Sequence, residues 1–213
     1  MEFLTYLVDF ILHIDAHLFE LVEQYGMWIY AILFIIVFCE TGLVVTPFLP
    51  GDSLLFASGV VAGAGLMGYG HVLLVLLAAG IMGDAVNYFI GRHVGPAIFQ
   101  RDSRFIKKEH LLKAHHFYEK HGGKAIILAR FVPIVRTFAP FVAGVGKMHY
   151  LTFAHYNVIG AVVWVTLFVG GGYFFGNIPV IKQNFTLVTL GIVIFSVLPV
   201  LWELVGKKLF HKE

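Results

Sequence analysis

The chain has 213 residues, 59% of them hydrophobic and 13% charged, with a mean hydropathy of +0.84 and a net charge of +2. Too few polar residues are present to clothe a soluble core, so a soluble globular domain is excluded and an integral membrane protein is expected. The length suits one helical domain with several spans of roughly 20 apolar residues each, and the single cysteine, Cys39, rules out an intrachain disulfide.

Charge is unevenly spread. No Lys or Arg precedes Arg92, eight lie between Arg92 and Lys124, and Lys207, Lys208 and Lys212 crowd the C-terminus. The positive-inside rule assigns the middle segment and the C-terminus to the cytoplasmic side of a multi-pass protein.

Residues 1–25 lack a basic start, so they do not read as a cleavable signal. Leu4, Leu7, Val8, Ile11, Leu18 and Val22 recur at helical spacing among acids and histidines, which predicts an amphipathic helix at the interface. Residues 27–66 predict a first re-entrant hairpin. Its apolar run ends at Thr46, Pro47, Pro50 and Gly51 interrupt the helix, and the returning run is too short to cross a bilayer. A transmembrane helix is expected over 71–91, closing on Gly91-x-x-x-Gly95 and Pro96, and a cytoplasmic amphipathic helix over 101–121. Residues 122–147 predict a second re-entrant hairpin broken at Pro133 and Pro140, followed by spans at 151–176 and 184–205.

Each hairpin is followed by a span ending in a Gly-x-x-x-Gly pair, Gly91 to Gly95 and Gly172 to Gly176, which suggests an internal repeat. With the charge-derived topology the hairpins open on opposite sides and meet near the midplane. The expected fold is therefore an all-α polytopic membrane protein with two opposed re-entrant hairpins in an inverted repeat.

Glu40 and Asp52 flank the first break, and Arg130 and Arg136 flank Pro133 in the second. A charge at bilayer depth costs roughly 2.5–3.5 kcal/mol on insertion scales, so the four are expected to converge. A structural pair of salt bridges would explain their equal numbers. Broken helices add freed N–H groups and positive helix N-termini, and these invite an anion.

Glu40, "PFLPGD" at 47–52, "GDAVNYFIGR" at 83–92, "FYEKHGGK" at 117–124, "ARFVPIVRTFAPFVAG" at 129–144 and "YNVIGAVVW" at 156–164 resemble the DedA family of bacterial inner-membrane proteins over nearly the whole chain. The resemblance implies that Glu40, Asp52, Arg130 and Arg136 are functionally required, and that the paired hairpins are kin to those of eukaryotic lipid scramblases. It also implies a role in proton-motive-force-dependent envelope physiology, with undecaprenyl phosphate, the lipid carrier of wall synthesis, as a candidate cargo.

The residue chemistry is compatible with such a cargo. Arg130 and Arg136 each offer a planar fork of donors to phosphate oxygens and stay charged without water. Glu40 or Asp52 could hold an arginine while the site is empty and take up a proton when phosphate displaces it. Asp84, Asn87 and Tyr88 share one helical face as a secondary polar site, and Arg92 is placed to snorkel toward lipid phosphates.

The function expected is thus a lipid-phosphate translocase, for undecaprenyl phosphate or a similar lipid, coupled to protons. The alternatives are an unselective phospholipid scramblase and a proton-dependent ion or solute transporter. A lipid phosphatase is set aside because Ala114 stands where the third motif of that class needs Asp, so no catalytic residue is assigned. His110, His115, His116 and His121 lack an acid or Cys cluster at ligand spacing, so neither a metal nor a cofactor is expected. The basic segment is read as facing anionic lipid and not nucleic acid, and homo-oligomerisation through the Gly-x-x-x-Gly pairs is left open.

Overall fold

A computed structural model describes residues 14–43, 51–100 and 122–179, with isolated positions 187 and 191. Seven helices occur among the described residues: α1 (Ile14–Tyr25), α2 (Trp28–Gly42), α3 (Gly51–Gly63), α4 (Tyr69–Gln100), α5 (Lys124–Ala129), α6 (Pro133–Val145) and α7 (Tyr150–Phe175). The predicted stretches at 1–13, 101–121 and, but for positions 187 and 191, 184–205 lie outside the described residues, as do Pro47 and Pro50.

Among the described residues two helices are long and apolar enough to cross a bilayer, Tyr69–Val94 and Tyr150–Phe175. Both present large apolar side chains outward, among them Leu74, Met82 and Phe89 on α4 and Leu151, Leu167 and Phe174 on α7. Side chains of this kind suit lipid, where they cost nothing to expose. The shorter α2, α3 and α6 are apolar too but too short to span alone.

The chain divides into two compact units, with the division running through α2, α4 and α7. The first contains residues 1–36, 49–77 and 165–213. Within it α1 buries Leu18 and Val22 and packs on α3, which is buried on almost every side. The second contains residues 37–48 and 78–164, and its apolar centre is Tyr88, Ile126, Ala143 and Phe153.

One contact recurs in both units. In the first, a side chain on Gly59 would strike the carbonyl of Val169, and one on Gly172 the carbonyl of Phe56. In the second, Gly144 stands in the same way against the carbonyl of Tyr88, and Gly91 against that of Phe141. Each crossing is thus a pair of glycines, each three residues after the residue whose carbonyl the other glycine meets. A hydrogen in place of a side chain lets the backbones touch, the usual device for packing helices in lipid. The glycines considered for self-association, Gly91 and Gly172, are therefore covered by helices of their own chain.

The break between α5 and α6 follows from proline. Val132 is extended at φ −117°, ψ 106°, as a residue before proline must be, and Pro133 restarts the helix at its first turn. Pro140 does not break the chain as expected: it lies inside α6. It deletes one N–H from the ladder, a loss a helix in lipid tolerates when neighbouring groups re-satisfy the turn. Likewise α4 does not close at Gly91 but runs on through Pro96 to Gln100.

Candidate functional site

Arg130 caps α5 and Arg136 lies in the first turn of α6, so the break at 131–132 sends both guanidiniums out of one bend. Both are buried, at 4% and 7% exposure, where a bare charge would be untenable. Arg130 donates from Nη2 to Asp84 Oδ2 at 2.5 Å and to the Gly80 carbonyl at 3.2 Å, and from Nη1 to the Asn157 carbonyl at 3.0 Å. Arg136 Nη2 donates to Glu40 Oε1 at the end of α2. Two cations and two carboxylates are thus buried as two matched pairs.

Trp164 serves both cations. The guanidinium carbon of Arg130 lies 5.5 Å from its ring centroid and that of Arg136 5.2 Å. The negative face of an indole attracts a desolvated guanidinium, so one side chain of α7 helps two positive charges share a dry region.

Asparagines tie the backbone around the pairs. Asn87 Nδ2 donates to the Thr41 carbonyl at 3.1 Å and the Thr137 carbonyl at 2.7 Å, the residues directly after Glu40 and Arg136. Thr41 belongs to the last turn of α2, whose carbonyls have no helical partner, and Thr137 to the turn before Pro140. Asn157 Nδ2 donates to the Ile81 carbonyl at 3.1 Å, three residues before Asp84. A second chain of contacts runs beside these: Arg92 Nη1 donates to Tyr88 Oη at 3.2 Å, Tyr88 donates to the Met148 carbonyl, and its ring stacks 4.5 Å from Phe153. Arg92 itself is exposed.

Of the residues singled out from sequence, Glu40, Arg130, Arg136, Asp84 and Asn87 come together within the second unit. Asp84, expected as a secondary residue, is the carboxylate paired with Arg130. Asp52 belongs to the first unit, half-buried in the first turn of α3, which begins at the buried Gly51. Trp164, Asn157 and Thr137 were not singled out from sequence. Asn157, Ala161 and Trp164 recur at helical spacing and are all buried, so a lone amide on one face of an apolar span was the available signal. The four histidines at 110–121 lie outside the described residues, and among the described residues no group of three metal-ligating side chains gathers.

A family model described as the VTT domain matches residues 49–174. The chain is 58% identical over 211 residues to Protein DedA of Escherichia coli K12, covering 98% of this chain and 96% of that one. It is 45% identical over 172 residues to the uncharacterized membrane protein Rv0364 of Mycobacterium tuberculosis H37Rv, covering 79% and 75%. To the inner membrane protein YqjA of E. coli K12 it is 35% identical over 181 residues, covering 84% and 82%. No solved structure matches.

Proposed function

The chain belongs to the VTT-domain, or DedA, family of membrane proteins, and we propose that it moves a lipid phosphate such as undecaprenyl phosphate between leaflets, coupled to protons. The observation that carries this reading is the double pair of Arg130 with Asp84 and Arg136 with Glu40, buried beside a helix break. Each guanidinium is a ready phosphate ligand, and each is occupied by a carboxylate in this state. Loading then means exchange: phosphate oxygens take the arginines, and Glu40 or Asp84 takes up one proton for each negative charge that the phosphate brings. Charge is conserved at each stage, so no uncompensated ion crosses the bilayer. Asp52, in the other unit, is a third acid for proton carriage in this scheme.

The lipid tail needs an apolar track. A shallow open groove along α4, lined by Val86, Phe89, Ile90, His93 and Val94, supports such a path. The protein acts in this scheme as a transporter of the bacterial inner membrane with no catalytic step, and the re-entrant, inverted disposition of α2/α3 and α5/α6 belongs to the same proposal. The glycine crossing that recurs within each unit supports the internal repeat.

The test is leaflet accessibility of fluorescent undecaprenyl phosphate in proteoliposomes holding wild type or Arg130→Ala. Movement by wild type and its loss in the variant is the expected result. Equal movement of phosphatidylcholine would point to unselective scrambling, and no lipid movement by folded wild type would refute the reading.

A further inference from the structure

Asn87 and Asn157 each leave one polar atom without a partner. Asn87 is 0% and Asn157 1% exposed, and the Oδ1 atom of each has no hydrogen-bond partner among the described residues. Their orientation is fixed by chemistry. Each Nδ2 faces main-chain carbonyls, two for Asn87 and one for Asn157, which only an N–H can satisfy. Each Oδ1 must therefore be a pure acceptor, turned away from the carbonyls and waiting for a donor. A buried acceptor left without one is disfavoured, and native structures keep few of them without a reason.

Both acceptors belong to the ion-pair cluster. Asn87 grips the residues directly after Glu40 and Arg136, while the Asn157 carbonyl receives Arg130 and its amide holds the turn preceding Asp84. The two guanidiniums that would hold the phosphate are donors only. A site with donors and two idle acceptors fits a ligand that brings both acceptor oxygens and a hydroxyl.

We propose that Asn87 and Asn157 make the site selective for a phosphate monoester in its monoanionic form, whose single P–OH donates to an asparagine Oδ1, over a phosphodiester. This rests on the lipid-phosphate reading above and narrows it. A diester has no hydroxyl on phosphorus, so its oxygens would confront the amide oxygens with no proton between them. A monoester loses its last proton with a pKa of about 6, so the hydroxyl is present at and below that pH. Removal from water favours the singly charged form further, because the dianion is harder to desolvate. The selectivity thus reads the protonation state of the ligand as well as its substitution.

Two soluble-tailed probes isolate the hydroxyl. Dodecyl hydrogen phosphate and dodecyl methylphosphonate are both largely monoanions near pH 5, about one unit below the phosphate's last pKa, and differ in one group, OH against CH3. Binding of each to the full-length protein in detergent is measured by calorimetry. Wild type is expected to bind the phosphate about tenfold more tightly, the worth of one buried hydrogen bond. Asn87→Leu or Asn157→Leu, whichever removes the acceptor that the single P–OH uses, is expected to weaken the phosphate more than the phosphonate and so to shrink that ratio. Equal affinity of wild type for the two probes would overturn the inference and leave water as the donor to both amides, without touching the transport reading. Equal weakening toward both probes in the variants would also overturn it, assigning the amides to backbone support alone. Binding of neither probe would strike the lipid-phosphate reading itself. The wild-type comparison alters only the ligand, so it decides even if a variant fails to fold.

Discussion

Arg130 shows how strongly one residue can be bound to its partners. Its guanidinium is shared among Asp84, two carbonyls and the Trp164 ring, all out of water. Truncating it to Ala would strand Asp84 as a buried carboxylate, and such uncompensated charges cost about 3–5 kcal/mol. Arg130→Ala is therefore expected to lower the thermal unfolding temperature in detergent, and adding Asp84→Asn should restore much of the loss. An additive double mutant would contradict the pairing. Trp164→Leu removes a face shared by two cations and should cost about 2 kcal/mol or more for desolvated cation–π contacts. Trp164→Phe should cost less, as read by the same unfolding measurement. The sequence exposed the ionisable residues because a charge in an apolar chain has no cheap explanation. It did not expose their pairing, since Asp84 stands 46 and Glu40 96 residues away from its arginine, a distance no local pattern encodes.

At the scale of elements, the helices and the second break follow closely from local chemistry, because apolar runs and an X-Pro step act within a turn or two of themselves. The apolar runs at 71–91 and 151–176 fall on the long helices α4 and α7, and α3 lies within the range 27–66. Pro140 was misread because a proline's effect in lipid depends on what its neighbours supply, and those neighbours come from other helices. The glycines were legible as a pattern, but their use was not: Gly-x-x-x-Gly can serve a second copy or the same chain. Here Gly144 and Gly91 bring α6 and α4 into backbone contact. Gly144→Ala must push a carbonyl aside and is expected to destabilise by about 1–3 kcal/mol, the usual range for overpacking. Gly70→Ala, in the first turn of α4 with open space around its Cα, should be neutral or stabilise by a few tenths to about 1 kcal/mol. Equal shifts for the two in a thermal unfolding assay would contradict the crossing.

For the whole molecule, composition alone settled the solvent: a chain with mean hydropathy +0.84 belongs in lipid. In the proposed cycle, charge is neutralised while cargo and protons exchange places. In that cycle carboxylates and a lipid phosphate compete for the same two arginines, and protons set the winner. The most direct measurement is the rate of undecaprenyl phosphate translocation in proteoliposomes under pH gradients of either sign, for wild type, Glu40→Gln and Asp84→Asn. Reversing the gradient is expected to reverse net movement in wild type, and each neutral variant is expected to lose this response while still binding lipid phosphate. Translocation by wild type that ignores the gradient, or variants that follow it unchanged, would contradict the exchange.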